Sequence, residues 1–424
     1  MRYFRDWIGL CAFKIFTVVF LLLLAFRPYK AGAYSILTHE AIVDACWQRS
    51  FVPFLKLRYP GITEDELAKA HAYAYGGSIA PDMGYFPMGS KLFTDLAHYV
   101  RSGDLVVALM DEAHTANELS FALGFLTHYM ADIYGHGMGI NRAVALVYPK
   151  IEKKYGRLVT YADDKLSHKR VEFSFDVLQV SQGNYASEEY HDFIGFALSG
   201  ELLEKAVRKV YGLELRQLFP HFSFSVRILR MTVISLFPAI TQSAWLIHKN
   251  KLRKQGSTTA DKDFRNRMRR LNYYQDSGLQ HRKPTFFLHL FSWFIRVVPK
   301  IGPLRSLKIK APGEMAEALF RNSFDTVTRH FNREIQNIKK EVSSFPNKDL
   351  DTGEPTRPLE YKLADKTYAA WLLKLRKGHF RLLNNGIRDN ILAFYSHFSG
   401  SIASGEEVEN DKKLAEALVI LSLR

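Results

Sequence analysis

The chain has 424 residues, with 58 Lys and Arg against 43 Asp and Glu, a formal net charge of +15 at pH 7. At 47% hydrophobic and 24% charged residues, it is excluded from the disordered and low-complexity classes. Two cysteines, Cys11 and Cys46, exclude a disulfide scaffold and a cysteine-based zinc cluster.

The N-terminus reads as a leader. Arg2, Arg5 and Lys14 make it basic, Ile15 to Phe26 runs apolar for 12 residues, and Ala31-Gly32-Ala33 supplies a small-residue cleavage signature before Tyr34. The apolar run is short for a membrane span of about 20 residues. The pattern predicts a signal peptide over 1–33 and an exported protein: periplasmic, on the outer surface or secreted. Arg27 and Lys30 follow the apolar run, so an uncleaved N-terminal anchor stays open as a second reading.

Beyond the leader, strand signatures are scarce and i, i+3, i+4 apolar spacing dominates, which predicts an all-α, multi-helix fold. Leu105 to His136 reads as one helix with Asp104 as its cap, and Glu314 to Val342 and Tyr361 to Arg376 read as others. Tyr59-Pro60-Gly61, Gly76-Gly77-Ser78, Phe86-Pro87 and Asn347 to Pro358 read as loops. Composition shifts near residue 220. Phe222 to His248 is apolar apart from Arg227 and Arg230, and Lys251 to Lys310 then carries 15 Lys and Arg against three acids. Within that stretch, Phe286 to Ile301 is apolar and aromatic between basic flanks. It suits a membrane-associated, interfacial helix on anionic lipid, and equally a core-packed helix with solvated ends. The chain therefore divides into 1–33, 34–220, 221–310 and 311–424, the last a helical C-terminal region.

The chemistry-bearing residues lie in the second of these units. His128, Asp132 and His136 stand at i, i+4 and i+8, on one face of a helix. Imidazole and carboxylate are the ligands zinc takes where thiolates are absent. His168 and Glu172 repeat the i, i+4 pair. Upstream stand His39, Asp82 in a Gly/Pro-rich loop, and His98 opening a helix. A lone His is usually an ordinary polar residue, as His71 and His114 illustrate by belonging to no pattern. The recurrence at ligand spacing is what points to metal.

The order His39, Asp82, His98, His128-x3-Asp132, His136, His168-x3-Glu172 resembles the zinc-dependent phospholipase C family, related to the S1/P1 nucleases. The likeness spans roughly a third of the chain. It implies an all-helical phosphodiesterase with three zinc ions, one of them bound by the amine and carbonyl of the mature N-terminal residue. Position by position, it implies Tyr34, His39 and Asp132 at one zinc, and Asp82, His98, His128 and Asp132 at a second. His136, His168 and Glu172 would take the third, with Asp82 as general base. Tyr34 stands where the family usually has Trp, and the step from Asp132 to His136 is four residues rather than six. That spacing is similar to the branch that includes glycosylphosphatidylinositol-specific phospholipase D.

The implied activity is hydrolysis of a phospholipid head-group phosphodiester by a metal-activated water, at an anionic membrane surface. Two alternatives remain: a zinc-dependent single-strand nuclease, since a charge of +15 also suits nucleic acid, and a non-catalytic membrane-associated helical protein. Asp111, Glu112, Asp163, Asp164 and Asp176 are candidates for orienting the imidazoles. If Tyr34 must present a free amine, one extra residue before it should lower zinc content and activity. Full activity from the extended chain would show that the terminal amine is not a ligand.

Overall fold

A computed structural model describes residues 36–185, 191, 194–252, 259–271, 308, 310–338, 344–396 and 406–424. Tyr34, the leader and Phe286 to Ile301 lie outside the described residues. Among those described, every regular element is helical, and the one β feature is an isolated bridge between Lys348 and Pro355. The fold is all-α.

The first half supplies α1 (Ile36–Cys46), α2 (Val52–Arg58), α3 (Glu64–Ile79), α4 (Lys91–Tyr99), α5 (Ser102–Asp111), α6 (Ala116–Gly135), α7 (Asn141–Val147), α8 (Pro149–Tyr155) and α9 (Lys165–Ser181). The stretch from Leu105 to His136, expected as one helix, is two. Residues 112–115 interrupt it because Thr115 and Glu118 form a capping box that starts α6 afresh. Asp104 is no cap: it lies in the first turn of α5, where its carboxylate accepts from Arg101 Nε at 2.6 Å.

The helices α3 and α6 cross at the centre of the molecule, and glycine sets how closely. A Cβ on Gly77 would fall 2.0 Å from the Phe121 carbonyl oxygen, and one on Gly124 would fall 2.1 Å from that of Ala74. This corrects the expected loop at Gly76-Gly77-Ser78, which is the last turn of α3. The glycines there serve a close helix crossing rather than a turn. Polypeptide that follows α3 tightens into a 3₁₀ turn, Ala80–Tyr85, carrying Asp82.

The second half wraps back onto the first. After α10 (Gly200–Tyr211), α11 (Leu215–Leu218), α12 (Phe222–Met231), α13 (Phe237–Leu252) and α14 (Thr259–Leu271) comes α15 (Glu314–Ile338). Its residues Ala316, Phe320, Phe324, Val327, Phe331, Ile335 and Ile338 recur at three- and four-residue steps and are all buried. They pack onto the first half: Phe331 stacks on Phe51 at 5.2 Å and Phe320 on Phe175 at 4.7 Å. Each Phe so buried contributes roughly 1.5–3 kcal/mol relative to exposure. The helices α16 (Lys362–Lys377), α17 (Asn385–Tyr395) and α18 (Glu406–Ser422) complete the described chain. Trp371 on α16 donates from Nε1 to the Tyr211 carbonyl at 2.8 Å. One hydrophobic core runs from Ile36 to Leu421.

Between α15 and α16 an irregular strap, residues 344–361, lies across α4, α5 and α6. Asn347 accepts the Asp104 backbone N–H at 3.0 Å, Pro346 accepts from the Tyr129 hydroxyl at 2.7 Å, and Leu350 N–H donates to the His98 carbonyl at 3.0 Å. Gly353, at φ +77°, rests on the Ile133 carbonyl oxygen, which a Cβ would meet at 2.4 Å.

Gly77→Ala and Gly124→Ala should each cost about 1–3 kcal/mol or more by overpacking the crossing. Gly61→Ala, with nothing within 4 Å of its new Cβ, should change little. Urea melts of the three variants check this.

Candidate metal centre

Eight of the side chains singled out in the sequence converge between α1, α3, α4, α6 and α9. His39 comes from α1, Asp82 from the 3₁₀ turn after α3, and His98 from the last turn of α4 rather than its opening. His128 and Asp132 lie on α6, His136 starts the π-helical turn that follows it, and His168 and Glu172 lie on α9. Tyr34 lies outside the described residues. His98, His128, Asp132, His136 and His168 are 0% exposed, and Asp82, at 6%, is the most accessible of the eight.

Three groups have ligand atoms close enough together to hold a metal ion: His39, His128 and Asp132; Asp82, His98 and His128; and His136, His168 and Glu172. Within the first two, His128 Nε2 and His98 Nε2 lie 3.3 and 3.4 Å from Asp132 Oδ2, and His98 Nε2 is also 3.4 Å from Asp82 Oδ1. His39 Nε2 is 3.8 Å from Asp132 Oδ1, so the two Asp132 oxygens face different imidazoles. His136 and His168 stack at 5.0 Å.

Backbone carbonyls fix the imidazoles. His98 Nδ1 donates to the Thr94 carbonyl and His128 Nδ1 to the Ser78 carbonyl, both at 2.8 Å. A carbonyl has no proton to give, so each Nδ1 carries the hydrogen and each Nε2 can present a lone pair. Thr94 has a second task. Its hydroxyl donates to the Pro81 carbonyl at 2.6 Å and accepts the Gly84 N–H at 2.7 Å, which locks the turn carrying Asp82 onto α4. The other candidate orienting acids do different work. Asp111 and Glu112 pair with Lys209, while Asp163 and Asp164 accept backbone N–H groups at Thr160 and Ser167. Asp176 accepts from the Leu37 N–H and the Thr38 hydroxyl, holding the start of α1. Thr94, Ser78 and Asn141, which orients His168, were not visible as site residues in the sequence, because two of them act through main-chain carbonyls.

The electrostatics favour a cation. Burial, with stacked His128 4.3 Å away, depresses His39 to a pKa of about 3, leaving it neutral and able to ligate. Burial would raise Asp132, but His128, His98 and His136 outweigh it and hold Asp132 well below the usual carboxylate range. Burial opposes charge on His98, and Asp132 and Asp82 overcome that opposition and raise it well above the ordinary imidazole value. On α9, burial depresses His168 and raises Glu172, which favours the neutral form of each across their 2.5 Å contact. Both Asp132 oxygens, Asp82 Oδ1 and both His136 nitrogens are buried without a hydrogen-bond partner. An unanswered buried polar group costs about 1–3 kcal/mol. Divalent cations would answer these atoms together, so the residues fit a metal centre.

Residues 38–220 match the zinc-dependent phospholipase C family. The match covers somewhat under half of the chain, and all eight side chains above lie within it. A protein of Archaeoglobus fulgidus described as an uncharacterized protein is 33% identical over 141 residues, covering 32% of this chain. The chain spans 38% of that relative's length. No solved structure matches the chain.

Free zinc at about 100 times its Kd should stabilise the chain by on the order of 3 kcal/mol over the chelator-treated form. Superimposable thermal melts with and without chelator would show that the cluster binds no ion.

Proposed function

We propose that the chain hydrolyses the head-group phosphodiester of phospholipids at a membrane surface, outside the cytoplasm. The observation that carries the reading is the buried convergence of imidazole lone pairs and unpartnered carboxylate oxygens within the segment that matches the zinc-dependent phospholipase C family. In this reading His39 and Asp132, with Tyr34, hold one zinc; Asp82, His98, His128 and Asp132 hold a second; His136, His168 and Glu172 hold a third. Zinc, when bound, neutralises the non-bridging phosphate oxygens and lowers the pKa of water to about 7.

The chain's own residues would do the rest. Asp132 would serve two of the groups, with Oδ1 toward His39 and Oδ2 toward His98 and His128. Asp82 would take the proton from the attacking water, and at 6% exposure it is the most accessible of the eight side chains. His39, His98 and His128 face Asp132 from three sides and exclude bulk solvent from it, which strengthens every charge interaction inside. Tyr85, 6.1 Å from His98, and Tyr161, 5.7 Å from His168, wall the two halves of the site. Support for a membrane surface comes from the run Phe222–His248, the one described helical run long and apolar enough to cross a bilayer, of whose most apolar window 33% is buried.

Vesicles of phosphatidylcholine, phosphatidylethanolamine and phosphatidylinositol should release head groups on incubation with the chain, and a chelator should abolish the release. Asp82→Asn should lower turnover by about 10²–10⁴-fold. Unchanged turnover at unchanged zinc content would remove Asp82 from the chemistry. Chelator-sensitive digestion of single-stranded DNA with no head-group release would replace the lipase reading with the nuclease.

A further inference from the structure

The strap from the last third of the chain reaches the metal centre through one buried amide. Asn141, at the start of α7 and 0% exposed, donates from Nδ2 to the Asp351 carbonyl at 2.9 Å, while its Oδ1 lies 2.8 Å from His168 Nε2. The first contact decides the second. A carbonyl accepts only, so the amide must turn its nitrogen to Asp351 and its oxygen to His168. An amide oxygen also accepts only, so His168 must carry its hydrogen on Nε2. The Nδ1 lone pair is then left on the side of Glu172 Oε1 and His136.

Asp351 is itself held in place through its N–H and its carboxylate. The Asp351 backbone N–H donates to Asp349 Oδ1 at 2.9 Å, and Gly353 N–H donates to the Asp349 carbonyl at 2.8 Å. The Asp351 carboxylate accepts from the Tyr99 hydroxyl at 2.9 Å and from the Tyr361 hydroxyl at 2.5 Å. Tyr99 neighbours His98, and the adjacent Leu350 N–H holds the His98 carbonyl. The strap lies outside residues 38–220, the part shared with the family.

We infer that Asn141 is the positioning residue of His168, and that the Asp351 carbonyl, by orienting the Asn141 amide, makes the strap a working part of the metal centre. His98 and His128 have their tautomers fixed by carbonyls of their own neighbourhood; His168 has its tautomer fixed by a segment some 180 residues further along the chain. The inference rests on the metal reading proposed above, and it specifies which ligand the C-terminal part controls.

The test uses the full chain and two readouts that need no turnover. Zinc affinity is measured by competition with a chromophoric chelator, and the His168 tautomer by long-range ¹⁵N–¹H NMR of the metal-free protein. In the wild type, His168 should show the Nε2–H form. Asn141→Ala should weaken one zinc per chain by about 10–100-fold and leave the others unchanged. Asn141→Leu, which keeps the branched outline of Asn with bulkier ends and loses both polar atoms, should do the same and serves if the Ala variant does not fold. Asn141→Asp, which keeps an acceptor for Nε2–H, should retain the tautomer and recover most of the affinity. Asp351→Ala, which releases the strap from Tyr99 and Tyr361, should weaken the same zinc. Wild-type affinity in both Asn141→Ala and Asn141→Leu, or equal loss in Asn141→Asp, would overturn the positioning role while leaving the proposed function intact. A wild-type chain that takes up no zinc would overturn both.

Discussion

Asp132 is a carboxylate with no solvent around it and no formed hydrogen bond, held within 3.3–3.8 Å of three imidazoles. A buried negative charge in that position is stable only with compensating positive charge. Protonated histidines would supply it at the cost of burying cations of their own, and His39, depressed to about 3, does not take part. A divalent ion supplies it without protons. Much of the surrounding architecture follows from this demand. The helix α6 brings Asp132 and His128 to the centre, the close α3–α6 crossing puts the Ser78 carbonyl beside His128, and Thr94 ties the Asp82 turn to the helix that carries His98.

The second half of the chain is more than an appendage to this site. The aromatic stripe of α15 shares the core that encloses α1, α6 and α7. From its far end the strap hydrogen-bonds the His98 carbonyl and the Asn141 amide. Ligand helices in a small core drift unless something spans them, and a ligand displaced by an ångström no longer shares a cation with its neighbours. A segment that touches α4, α5, α6 and α7 at once restrains all of them together.

Much of the helical architecture was legible from apolar spacing, because α15 and α16 bury one face each and the 3.6-residue period survives in the sequence. Where reading and structure part, the cause is local and physical. Gly76-Gly77-Ser78 has turn composition, yet it continues a helix because the neighbouring helix leaves no room for a Cβ. The break between α5 and α6 falls in the polar stretch Asp111-Glu112-Ala113-His114, where the reciprocal Thr115–Glu118 bonds start a new helix. The acids offered as orienting partners were the wrong chemistry altogether: Thr94 and Ser78 act through carbonyl oxygens, which every residue type carries and no sequence pattern reveals.

By itself, the sequence determined which groups are available: imidazoles and carboxylates at helical spacing, with no thiolate to compete for a metal. That follows from covalent chemistry and from the helix repeat, both of which are local. Tertiary structure alone decided which imidazole nitrogen faces inward, since that depends on an acceptor brought from elsewhere, at Ser78 for His128 and at Asn141 for His168. It alone decided, too, that a strap beginning at residue 344 reaches a ligand at residue 168, because contacts across that distance are selected by packing of the whole core and leave no periodic trace in the chain.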